Sequence, residues 1–153
     1  VTKTKAVTME NEQSSFTAPK ITRGSCLCAA VHWEFRGEIP DATICNCTAC
    51  RRYGVLWAYD YDGYAITVDD PNGHLVPYQR GSKVLSFTFC KVCGNVVSWR
   101  SNTTGPDGKV RIAVNLRLAE PEAVASIKVL RFDGLDSYED LPVDGRTVGH
   151  IWF

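Results

Sequence analysis

The sequence predicts a mainly β fold built from antiparallel sheets. Short runs rich in β-branched and aromatic residues recur along the chain, turn-forming residues separate them, and a single stretch has helical character. The runs cover residues 29–35, 56–61, 65–68, 75–78, 83–89, 96–100, 110–115 and 127–132. Between them stand "DG" at 62–63, "PNG" at 71–73, "GPDG" at 105–108 and "DG" at 133–134, residue types that favour tight turns. Strands so closely spaced pair most simply with their chain neighbours, which gives antiparallel sheets. The exception is "LAEPEAVAS" at 118–126, a short helical stretch with Pro121 near its first turn, where the missing N–H is harmless.

The 153 residues suit one domain with an ordinary core. Residues 1–22 are polar and aperiodic and read as a flexible arm, with the folded body, 23–153, beginning near Gly24. Lys plus Arg and Asp plus Glu both number 17, so no basic footprint marks a nucleic-acid partner. No apolar run approaches a membrane span and the opening residues lack a secretory core, so the expectation is a soluble, cytoplasmic protein with no membrane partner. Assembly as a homodimer is left open.

Seven cysteines fall into three short clusters: Cys26 and Cys28 in "GSCLCAAV", Cys45, Cys47 and Cys50 in "ICNCTACRRYG", and Cys90 and Cys93 in "FTFCKVCGNV". Such spacings in a reducing compartment are metal-ligand spacings, whereas a disulfide framework would leave one thiol over. A closed zinc site takes four protein ligands and an open one takes three, leaving a position for water or substrate. Seven divides as four plus three. "CKVCGN" is a knuckle that needs a second pair, and "CLC" offers one, so Cys26, Cys28, Cys90 and Cys93 form the closed set and Cys45, Cys47 and Cys50 the open one. The competing division joins Cys45 and Cys50 to the knuckle and leaves the "CLC" pair spare. His32, His74 and His150 are isolated in sequence and read as ordinary surface or core histidines.

An open thiolate zinc suits chemistry between a thiol and a carbonyl, because coordination strips the proton that a thiol of pKa ~8.5 otherwise keeps at neutral pH. Arg51 and Arg52 follow the cluster; a guanidinium there would bind a substrate carboxylate, and Arg51 is a candidate catalytic group, the alternative being a solvated pair or a contact to Asp60. On the next strand Trp57, Tyr59 and Tyr61 share one face; Trp57 and Tyr59 either wall a substrate pocket or fill the core. The sequence holds no "HExxH", nucleophile elbow, phosphate loop or dinucleotide fingerprint. Two readings remain: a zinc-dependent lyase of the carbon-sulfur type, and a zinc-stabilised protein-binding module without catalysis.

"GSCLCAAVHWEF", "CNCTACRRYG", "FCKVCGNVV", "VNLR" and "FDG" occur in an order that resembles the glutathione-dependent formaldehyde-activating enzyme family, which includes centromere protein V-like proteins. The resemblance runs from about Thr22 to the C-terminus. It implies a β-tent, antiparallel sheets folded over zinc, with a structural ion on Cys26, Cys28, Cys90 and Cys93. It also implies a second, catalytic or labile zinc on Cys45, Cys47 and Cys50, and glutathione as the thiol partner. Many members carry glycine where this chain has Ala29 and histidine where it has Asn46, so the surroundings of the second site differ while the ligands remain.

Overall fold

The computed structural model describes residues 18–152. A small antiparallel sheet runs β1 (Ile21–Ser25), β2 (His32–Arg36), β5 (Ile66–Asp69), in that spatial order. The larger sheet contains β3 (Ala42–Cys45), β4 (Trp57–Tyr61), β6 (Leu75–Tyr78), β7 (Leu85–Cys90), β8 (Val96–Ser101), β9 (Arg111–Asn115) and β10 (Val129–Phe132). Its order is β10-β3-β4-β9-β8-β7-β6. Among the described residues the helices are short: α1 (Cys50–Tyr53), α2 (Pro121–Val124) and α3 (Val148–Trp152). None is long and apolar enough to cross a membrane.

The main core lies between the sheets. Trp33 and Phe35 point inward from β2 and meet Leu56, Ala58, Ile112, Val114 and Val97. Gly24 on β1 is required here: a Cβ would stand 2.3 Å from the Trp33 indole, which lies against the strand backbone. Along β4 the alternation read from sequence holds. Leu56 and Ala58 enter the main core, while Trp57 and Tyr59 enter a second cluster on the opposite face with Phe87, Ala113, Trp99 and the Cys45, Cys47 and Cys50 side chains. Asn115, buried at the end of β9, ties the strands together by accepting from the Leu56 N–H and donating to the Val96 carbonyl.

Several boundaries differ from the sequence reading. The run at 29–35 starts only at His32, because residues 26–31 form a turn closed by Ala29 N–H to the Cys26 carbonyl (2.8 Å) and Cys26 N–H to the Val31 carbonyl (3.0 Å). β1 and β3 were not anticipated, and neither were α1 and α3; each is too short to show periodicity. The sheets are not wholly antiparallel: β10 returns beside β3 in parallel, after α2 has carried the chain across. The helix expected at 118–126 contracts to Pro121–Val124, with Pro121 in its first turn. Residues 1–17 of the expected arm lie outside the described residues, whereas Ile21 and Thr22 already belong to β1.

Candidate metal centres and the cleft beside them

The two turns β1–β2 and β7–β8 bring four cysteines together. In the second turn Gly94 has φ +76° and donates to the Cys90 carbonyl at 2.8 Å, four residues back, where Ala29, also at positive φ, donates three residues back to Cys26. The Sγ atoms of Cys26, Cys28, Cys90 and Cys93 all lie within 4.8 Å of one another. Zinc–sulfur bonds of about 2.3 Å imply sulfur separations of about 3.8 Å in a tetrahedron; Cys26 to Cys28 is 3.5 Å and Cys28 to Cys90 is 3.7 Å. The four thiols therefore fit a closed zinc site, and the competing division that left the "CLC" pair spare is not what the fold assembles. Burial opposes ionisation of Cys93, but N–H groups of Asn95 and Cys28 outweigh it and bring that thiol down to about 6.

Cys45 ends β3, Cys47 sits in the following loop and Cys50 opens α1, so one short excursion of chain folds three sulfurs within 4.8 Å of one another. Gly54, left-handed at φ +63°, stops the helix by donating to the Cys50 carbonyl at 2.9 Å. Among the described residues no fourth His, Cys, Asp or Glu joins the group. The Cys50 thiol hydrogen-bonds Cys45 and, with the backbone N–H groups of Cys47 and Gly134, outweighs burial to bring the Cys45 thiol down to about 6. The same pairing, reinforced by burial, pushes Cys50 up. A cluster that shares protons in this way is one that a dication would deprotonate.

Trp57 is fully buried and donates its indole N–H to the Cys50 sulfur at 3.3 Å. Tyr59 stacks obliquely on Trp99 with centroids 5.8 Å apart and lies under the Arg111 guanidinium at 5.3 Å. Burial, then the neighbouring Cys50 and Cys45, raises its phenol pKa. Both aromatics back the sulfurs instead of walling an opening. Arg51 and Arg52 are exposed on α1; Arg52 donates to the Thr48 carbonyl at 3.0 Å, and the contact to Asp60 does not form, since that carboxylate accepts from the Tyr61 and Ala65 N–H groups.

The opening lies elsewhere. A cleft of about 390 Å³ reaches Cys47 and is lined by Thr48, Ala49, Arg80, Ser82, Val84, Leu85, Phe87, Gly134 and Tyr138. Its arginine is Arg80, on the turn between β6 and β7. A somewhat larger hollow of about 450 Å³ lies among Arg23, His32, Glu34 and Glu120, but it contains no thiol and Arg23 is paired with Glu34 at 2.9 Å. Of these two cavities, the one at Cys47 is the one that meets a cysteine cluster.

Sequence reasoning missed the "FDG" segment as part of the site. Asn46 donates to the Asp133 carboxylate at 2.8 Å, and a Cβ on Gly134 would stand 2.7 Å from the Cys45 sulfur. The turn signal was visible, but its place against a cluster 87 residues away is a product of β10 pairing with β3.

The family described as "Glutathione-dependent formaldehyde-activating enzyme" matches residues 21–127, which include all seven cysteines and stop short of Asp133 and Gly134. A crystal structure of a Rhodobacter sphaeroides protein resembles the fold with a TM-score of 0.54 at 24% identity, covering 70% of this chain and 98% of that one. No curated protein matches the chain.

Proposed function

Because this chain belongs to the glutathione-dependent formaldehyde-activating enzyme family, we propose that it is a zinc-dependent enzyme of the carbon-sulfur lyase type. It makes or breaks the bond between a thiol, glutathione by the family's description, and a small carbonyl compound at Cys45, Cys47 and Cys50. The observation that carries this reading is the three-sulfur group that meets a cleft at Cys47 and that no fourth ligand joins among the described residues. The proposal includes two zinc ions, the one on Cys26, Cys28, Cys90 and Cys93 structural, and a reducing, cytoplasmic setting that keeps all seven thiols free.

Zinc held by three thiolates supplies Lewis acidity and keeps an incoming thiol in its thiolate form. The chain's own groups do the rest. The Trp57 indole N–H and the Gly134 and Cys47 backbone N–H groups donate to the Cys50 and Cys45 sulfurs, spreading their charge and fixing their positions. Val84, Leu85 and Phe87 shed water from one wall of the cleft. In the addition direction the thiol sulfur bonds to the carbonyl carbon, and the proton lost by the thiol ends on the carbonyl oxygen. Thr48, Ser82 and Tyr138 line the cleft and carry hydroxyls suited to relay it. Arg51 and Arg52, candidates from the sequence, are outside this lining.

The test combines elemental analysis with turnover. Two zincs per chain are expected, one of them perturbed by a mild chelator or by glutathione, and exchange between glutathione and formaldehyde followed by NMR should vanish in Cys47→Ser. Full turnover in that variant would overturn the assignment of the reaction to Cys45, Cys47 and Cys50, whereas one ion, or two that neither chelator nor thiol affects, with no turnover in the wild type would favour the zinc-stabilised protein-binding module.

A further inference from the structure

The cleft at Cys47 is electrostatically one-sided. Arg80 supplies a positive charge to its lining and Cys47 a thiol, Val84, Leu85 and Phe87 are apolar, and Thr48, Ser82 and Tyr138 add hydroxyls. No carboxylate lines it among the described residues. Most of the chain's other described arginines are engaged: Arg23 and Arg36 with Glu34, Arg100 with Asp62, Arg131 and Arg146 with Asp144. Arg80 has no ion-pair partner among the described residues, although its turn is firmly held. Lys83 N–H donates to the Arg80 carbonyl at 3.1 Å, and Asn102 clamps the far side by donating to the Lys83 carbonyl at 2.7 Å and, through its backbone, to the Val84 carbonyl at 2.9 Å.

An exposed guanidinium on a backbone-held turn in the lining of a partly apolar cleft is an anion receptor that favours a carboxylate over a neutral group or an ammonium. We infer that Arg80 is the specificity-determining residue of this site and selects a reactant carrying a carboxylate on a short apolar body that reaches from Arg80 to Cys47. The inference rests on the reading of Cys47 as the reacting end of the cleft. A volume of about 390 Å³ suits a small acid of that kind. The carboxylate comes either from the carbonyl compound or from the thiol, for which the glycyl end of glutathione has the required chemistry. An ammonium group finds no counter-charge in the lining.

The experiment titrates the purified protein with 3-phenylpropionate, with its neutral isostere 3-phenylpropionamide and with S-methylglutathione. Calorimetry reads the affinity, and amide shifts at Ser82 and Gly134 locate each probe. The acid should bind at least about tenfold more tightly than the amide. Arg80→Ala should erase that preference, and Arg80→Lys should keep part of it. Equal binding of acid and amide, a preference that survives Arg80→Ala, shifts confined to another face, or no binding of the acid up to about 10 mM would each overturn the inference. If S-methylglutathione competes with the acid and also weakens in Arg80→Ala, the carboxylate is the thiol partner's; if only the acid responds, it belongs to the carbonyl compound. Cys47→Ser separates the two levels of reading. Acid preference retained there while no turnover is found in the wild type leaves the subsite standing without the lyase reaction. Turnover that depends on Cys47 but shows no acid preference leaves the reaction standing without the subsite.

Discussion

Ala29 carries a Cβ at φ +57°, in the left-handed region where its counterpart in the other cysteine turn, Gly94, sits at φ +76°. Each N–H closes its turn onto the first cysteine's carbonyl, three residues back for Ala29 and four for Gly94. An L-residue in that conformation costs about 1–2 kcal/mol, and glycine gives back about 0.5–1 kcal/mol in lost chain entropy. Ala29→Gly should therefore stabilise the fold by up to about 1 kcal/mol, a rise of roughly 2–4 °C in Tm for a chain of this size, with the metal content unchanged; a fall in Tm would contradict the strain argument. Gly134 presents the opposite case. A methyl there would meet the Cys45 sulfur at 2.7 Å and the Cys47 Cβ at 2.9 Å, so Gly134→Ala should displace the open cluster and lose its ion while the closed site keeps its own. Two ions in the variant, counted by elemental analysis, would refute this. The departure at Ala29 was legible in the sequence because it lies inside a motif. The demand on Gly134 was not, because nothing local to "FDG" reveals that a sulfur will stand above it.

At the scale of the element, the turn after β10 is organised by one carboxylate. Asp133 accepts from Asn46 at 2.8 Å, from the Leu135, Asp136 and Ser137 N–H groups at 3.1–3.3 Å, and from the Ser137 hydroxyl at 3.0 Å. The Asn46 hydrogen bond, first among these, holds its pKa well below the usual carboxylate range. A depressed folded pKa contributes stability that is complete above the unfolded value of ~3.9 and is lost as the pH falls through the folded one. The turn's hold on the open cluster should accordingly weaken below about pH 4. Asn46→Ala removes the largest cause, so the Asp133 carboxyl, followed by carbon NMR, should titrate at a higher pH; an unchanged midpoint would show that the backbone donors suffice. Much of the element map was readable from alternation and turn residues, as at β4, β6 and β9. β1 and β3 were not, since strands of five and four residues show too little period. The parallel β3–β10 pair was missed because it depends on a crossover rather than on a local turn.

At the scale of the molecule, the closed cluster joins the small sheet to the large one. Cys28, in the β1–β2 turn, and Cys90, at the end of β7, are 62 residues apart and bring their sulfurs to 3.7 Å. The four-plus-three division could be counted from the sequence, because ligand number is a chemical constraint. The cleft could not, since its lining is drawn from the loop after β3, the β6–β7 turn, β7 and the segment after β10. The two clusters should differ in what their loss does. A structural zinc bound from an unfolded chain contributes about 10–16 kcal/mol in small zinc domains, comparable with the whole stability of a domain, about 5–15 kcal/mol. Cys90→Ser removes a fully buried candidate ligand and, if the proposed structural zinc sits there, should abolish the cooperative thermal transition. Cys47→Ser removes a half-buried ligand from a cluster at the edge of the cleft, and should keep the transition within a few degrees of wild type while the second ion is lost. Melting both variants beside wild type, with zinc counted in each, tests the assignment. A folded Cys90→Ser protein would mean that sheet packing through Trp33, Phe35 and Leu56 suffices without the closed site. An unfolded Cys47→Ser protein would mean that the open cluster is itself part of what holds β3 and α1 to the large sheet, and that its vacant position is secondary to its role in the fold.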